Sequence, residues 1–162
     1  MMDTTDREIV KLLRDNGRLS HEEISREIHL SRPAIHDRVR RMEANGVIQG
    51  YRAEVDWEAL GLPLTAFMWI RVTGVCNPTA QKILALSSST SVIEECHRVA
   101  GEWCLLIKTH SANSNALQDL LDSISSLPNV TNTMTTLALS TMRLEQAGDA
   151  CEIPKLAARG MA

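Results

Sequence analysis

Apolar positions in the first fifty residues recur at helical spacing. Ile9, Leu12 and Leu13 share one face of a stretch opened by Thr5-x-x-Glu8. That spacing is a capping box, in which the hydroxyl accepts from the third helical N–H and the carboxylate reaches back. Asn16-Gly17 ends this helix. Ser20-x-x-Glu23 opens a second one with Ile24 and Ile28 inward, and His29-Leu30 turns the chain. Ser31 caps a third, with Pro33 tolerated in its first turn, where the backbone N–H has no helical acceptor. Asn45-Gly46 closes it through the left-handed stop that glycine supplies.

The pattern then changes. Val47 to Val55 alternates loosely and is rich in β-branched and aromatic residues, which predicts a strand, and Asp56–Pro63 (DWEALGLP) reads as a hinge-like connection. TAFMWIRV is a buried strand, Pro78 to Leu86 a short helix, and VIEECHRVAG a strand with mixed faces. Gly101-Glu102 makes a tight turn into WCLLIKTH. Asn113 or Ser111 caps a helix carrying Leu117, Leu120, Leu121, Ile124 and Leu127, which Pro128-Asn129 breaks before the Thr-rich strand VTNTMTTLAL. The order β-α-β-β-α-β is ferredoxin-like: an antiparallel sheet with both helices on one face. The other face needs cover, which argues for an oligomer. The expected fold is α+β, a three-helix winged helix-turn-helix over 1–50, a strand and hinge over 51–63, a ferredoxin-like domain over 64–143 and a tail over 144–162.

Composition narrows the function. The 162 residues are 44 % hydrophobic but contain one Phe and one Tyr, so the core is mostly aliphatic. The net charge is −3. A nucleic-acid binder with an acidic total must concentrate its positive charge. It does so between Ser31 and Arg52, where five arginines (32, 38, 40, 41 and 52) stand against Asp37 and Glu43, a local +3. The N-terminus lacks a signal-peptide stretch, and no apolar run approaches the roughly 18 residues of a spanning helix. Cys76, Cys96, Cys104 and Cys151 contain no C-x-x-C pair. A cytoplasmic protein with reduced thiols, no membrane partner and no cofactor is the expectation.

On a wheel of 100° per residue, Ile35, Val39 and Met42 occupy one inward arc. Ser31, Arg32, His36 and Arg40 form the groove-facing set, with Pro33 in the same first turn. Arginine can donate two hydrogen bonds to guanine and histidine one, while Ser31 and the helix N-terminus suit a phosphate. Arg41 and Arg52 are phosphate candidates; Arg38, close to the buried arc, is expected to pair with a carboxylate inside the domain. Cys96 and His97 are adjacent and point to opposite faces of a strand, so no metal site is expected. Cys104 is read as a small buried hydrophobe, with a redox-sensing thiol as the alternative.

Three stretches together identify a family: REIVKLLRDNGRLS, the Leu30-Ser31 turn with AIHDRVRRMEANGVIQGY, and VAGEWCLLIK. The chain resembles the Lrp/AsnC feast/famine transcription regulators over roughly residues 3–143. The resemblance implies double-stranded DNA as partner, a homodimer assembling to a tetramer or octamer, and an effector, commonly an amino acid, bound between dimers. It places the effector at the turn Ala100-Gly101-Glu102-Trp103-Cys104, with Thr133 and Thr135 nearby. The family turn reads Gly-Asp/Glu-x-Asp; Gly101 and Glu102 match, and Cys104 stands where the second acid is usual. Glu102 could meet an α-ammonium, and exposed N–H groups a carboxylate. Two alternatives remain. One is an effector-independent protein that coats DNA architecturally, which the acidic total disfavours. The other is an enzyme resembling siroheme decarboxylases, for which the C-terminal half offers only Arg71, Lys82, Arg98, Lys108 and Arg143 to hold a polycarboxylate and no catalytic spacing.

Overall fold

A computed structural model describes residues 2–141. The chain divides into one unit ending at Val55 and another beginning at Asp56.

The first unit holds α1 (Thr4–Asp15), α2 (His21–Ile28) and α3 (Arg32–Ala44). Ile9, Ile24, Ile35, Val39 and Met42 form its core, one or more from each helix. The Ser20/Glu23 capping box is formed, and Ser31 Oγ accepts from the Ala34 N–H. His29 takes the left-handed conformation (φ 58°) that turns α2 toward α3. The start of α1 differs from expectation. Asp3, not Thr5, is the N-cap, and the box is closed by Asp6, not Glu8. The cause lies far along the chain: this frame turns Asp6 inward, onto Arg38 and Arg41.

Val47–Val55 is not a strand. Its β-propensity finds no ladder partner among the described residues, and the Val47 and Ile48 N–H groups donate to Met42 O instead. The three helices stand without a strand between Ala44 and Leu64 among the described residues. Tyr51 instead ties this segment back by donating to Glu43 Oε1 at 3.0 Å.

The second unit contains β1 (Leu64–Val72), α4 (Cys76–Leu84), β2 (Ser91–Arg98), β3 (Leu105–Ser111), α5 (Ser114–Ser125) and β4 (Val130–Leu137). All pairings are antiparallel, in the order β2-β3-β1-β4. Alternation sends Met68, Ile70 and Val72 to one face, where they pack with Leu105, Ile107, Ile83 of α4 and Leu120 and Ile124 of α5. The opposite face carries Phe67, Trp69, Leu106 and Met134 in register.

Several boundaries move. The first helix of this unit begins at Cys76 rather than Pro78, because Pro78 fits the first turn, where its missing N–H costs nothing. Asn113, not Ser111, caps α5. Trp103 and Cys104 precede β3, so the expected tight turn is a longer loop closed by the Val99 N–H donating to Cys104 O at 3.0 Å. The Asp56–Pro63 connection is folded: Asp56 Oδ1 accepts from the N–H groups of Glu58 and Ala59, and Leu62 is buried. Trp57 lies flat on His110, 4.2 Å between ring centroids and 9° between planes. Arg143, Cys151 and the expected tail over 144–162 lie outside the described residues.

Candidate nucleic-acid interface and effector loop

The exposed side of α3 follows from its buried side. With Ile35, Val39 and Met42 inward, Arg32, Pro33, His36, Asp37, Arg40 and Arg41 are exposed, as is the cap Ser31. Arg32 and Arg40 form no ion pair among the described residues. His36 stands edge-on to His21 at the start of α2, 5.3 Å between centroids. His21 thus joins this surface, and sequence spacing gave no sign of it: the contact depends on the turn that brings α2 to α3.

Arg38 and Arg41 behave differently. Asp6 is 1 % exposed. Its Oδ1 accepts from Arg38 Nη1 at 2.7 Å and from Arg41 Nη2 at 2.9 Å. Arg38 also donates to Asp3 Oδ2 at 2.6 Å. The expectation that Arg38 pairs internally is met. Arg41, read as a phosphate contact, has its guanidinium committed to Asp6. Burial pushes the Asp6 carboxyl up, but Arg38, the Asp3 N–H and Arg41 outweigh it, so the net shift is downward. Arg52 is exposed and shares the lining of a groove of about 390 Å³ with Arg14, Gly17, Gly50 and Tyr51.

The Ala100–Cys104 loop, expected to take the effector, sits at one end of the sheet. The Cys104 N–H donates to Ile70 O, and Ile70 also pairs with Thr133, so loop and threonine flank the same stretch of β1. Thr133 and Thr135 register with Ile70 and Met68, which puts both hydroxyl-bearing residues on the helix-covered face, half-buried. Gly101 has φ 133°, a conformation that glycine alone adopts readily. Ala100 and Glu102 are exposed. Glu102 pairs with Arg71, whose guanidinium also donates to Glu102 O at 3.2 Å and lies over the Trp103 ring. Cys104 turns the other way, packing on the core with Sγ 3.4 Å from both Val72 N and Val72 O. No group of three or more metal-ligating side chains occurs among the described residues.

The unit with the exposed arginines and the unit with the loop each match a known model. Residues 2–49 match a winged helix-turn-helix DNA-binding domain, and residues 65–147 match the Lrp/AsnC ligand-binding domain. The chain belongs to the Lrp/AsnC family of transcription regulators. It is 36 % identical over 140 residues to the regulator LrpA of Mycobacterium tuberculosis, covering 86 % of this chain and 91 % of that one. It is 32 % identical over 143 residues to the leucine-responsive regulatory protein of Salmonella typhimurium, covering 88 % and 87 %. Among solved structures, the feast or famine regulatory protein of M. tuberculosis complexed with L-methionine superposes with a TM-score of 0.81 at 33 % identity, covering 95 % of this chain and all of that one. Within this Lrp/AsnC chain, Arg71 is paired with the Glu102 carboxylate, and Cys104, two residues on, packs on the core.

Proposed function

We propose that this Lrp/AsnC regulator reads double-stranded DNA with Ser31, Arg32, Pro33, His36 and Arg40, while Arg52 meets a backbone phosphate. The observation that carries this reading is the pair of exposed arginines on α3, Arg32 and Arg40, which no carboxylate neutralises among the described residues. Guanidinium groups on a solvent face are ready to form bidentate bonds to guanine without first breaking an internal pair.

The effector is an amino acid, taken at Ala100–Cys104 beside Thr133 and Thr135. The M. tuberculosis relative holds L-methionine, and the loop here offers the same two ends of chemistry. Backbone N–H groups around Gly101 suit a carboxylate. Glu102 suits an ammonium, which must compete with Arg71 for it. The chain is a homodimer that assembles further to a tetramer or octamer, because Phe67 and Met134 leave an exposed apolar patch on the sheet face opposite α4 and α5. It acts in the cytoplasm as a non-catalytic protein.

Fluorescence anisotropy with the duplex upstream of the protein's own gene tests the reading. Binding at least about 1,000-fold tighter than to a scrambled duplex, and shifted by one amino acid, is the expected result. Equal affinity for both duplexes overturns sequence-specific reading, and indifference to every amino acid overturns the effector.

A further inference from the structure

We propose that Asp6 is a specificity-determining residue that withholds Arg38 and Arg41 from the DNA backbone, leaving α3 to read through Arg32 and Arg40; this rests on the DNA-binding reading above. The argument begins with a count. α3 carries four arginines, at 32, 38, 40 and 41. The two at 38 and 41 are one turn apart and converge on the same carboxylate. That carboxylate is saturated: Oδ1 accepts from both arginines, and Oδ2 accepts from Arg41 Nη2 at 2.9 Å and from the Asp3 N–H at 3.2 Å. Asp3 adds a second acceptor for Arg38.

Core stability does not call for this arrangement. An apolar residue of similar size at position 6 could pack between α1 and α3 without burying a charge. What the acid changes is the set of cations that α3 can present. Arg41 has a side chain 52 % exposed, enough to reach outward if it were not held. Each arginine that contacts a phosphate displaces a condensed cation and adds about 0.9 to the slope of log affinity against log salt. Such contacts strengthen binding to every sequence equally. Holding two arginines back therefore lowers non-specific binding and leaves the groove-facing arginines to separate one sequence from another. Asp6 does this from the first helix, 32 residues away from Arg38 in sequence.

The test uses the full chain. Wild type and Asp6→Asn are titrated against the upstream duplex and a scrambled duplex across a series of salt concentrations. Expected for Asp6→Asn, where Asp3 still holds Arg38 and Arg41 is freed, are a slope steeper by about 0.9, tighter binding to scrambled DNA at low salt, and a narrower ratio between the two duplexes. A carboxylate with only a structural role gives weaker binding to both duplexes and no steeper slope; that result overturns the proposal. Arg41→Gln provides an arm that does not depend on Asp6→Asn folding. A slope equal to wild type supports a withheld Arg41, and a slope lowered by about 0.9 shows a phosphate contact and overturns it. Wild type that binds neither duplex removes the DNA-binding reading and the proposal together. Wild type that binds, with unchanged Asp6→Asn slope, removes the proposal alone.

Discussion

Arg40→Ala separates reading a base from holding a phosphate. Arg40 follows the buried Val39, is exposed, and forms no ion pair among the described residues. Removing it breaks no ion pair among the described residues, and alanine is the better helix former. The free protein should change stability by no more than about 0.5 kcal/mol. Any larger change in binding then belongs to the complex. A guanidinium bidentate to guanine contributes about 1–3 kcal/mol of discrimination, which is about 5- to 150-fold in Kd. The measurement is anisotropy on the upstream and scrambled duplexes at several salt concentrations, with circular dichroism confirming the helices. A base reader loses affinity mainly for the upstream duplex, and the ratio narrows. A phosphate contact loses affinity for both alike, and the salt slope falls by about 0.9. Unchanged affinity and unchanged ratio would refute the geometric reasoning that sets the reading face of α3.

Other outcomes follow from the same structure. Asp6 and Glu94 both have carboxyls held below their ordinary values: burial raises each, and Arg38 and Arg41 at Asp6, or His110 and Lys108 at Glu94, outweigh it. Their contribution is complete above the unfolded values near 4 and is lost as pH falls through the lower folded ones, so urea stability should decline from about pH 4 downward, and less so in Asp6→Asn. Ile107→Ala empties a fully buried position at the centre of the second core and should cost about 2–5 kcal/mol in chemical denaturation. Phe67→Glu places a charge on the sheet face opposite α4 and α5 and, on the proposed homodimer, should lower the mass toward a monomer's in light scattering; an unchanged oligomeric mass would place the interface elsewhere. Gly101→Ala meets no atom within 4 Å, so its cost is backbone strain of about 1 kcal/mol, seen as a melting temperature lowered by a few degrees.

What periodicity can carry was legible. The inward arc of Ile35, Val39 and Met42 needed only a spacing of three and four, and all three are buried. The four strands and two helices of the second unit needed only the switch from period 2 to period 3.6 and back. Residues 47–55 show the limit of that argument. Valine, isoleucine and tyrosine favour a pleated surface, but propensity describes fitness for a sheet, and a strand exists only where another supplies the ladder. The start of α1 shows a second limit. Asp3-x-x-Asp6 and Thr5-x-x-Glu8 are overlapping capping boxes of similar local merit. Two arginines more than thirty residues away decide between them.

The same long-range pairings decide which charges are available for chemistry. Counted along the sequence, five positive charges between Ser31 and Arg52 look equivalent. In the fold, two of the five are neutralised by acids of the first helix. The Ala100–Cys104 loop repeats the lesson. Glu102 reads as an open acid beside a flexible glycine, but Arg71, thirty-one residues earlier, occupies it from the neighbouring strand. Cys104, two residues further on, packs on the core. On the proposed reading, a ligand ammonium at this loop meets one carboxylate that already has a partner. On that reading, effector affinity turns on how easily Arg71 releases Glu102. An Arg71→Gln variant should accordingly bind an amino-acid effector more tightly than wild type in calorimetry, and weaker binding would show that Arg71 holds the ligand instead of competing with it.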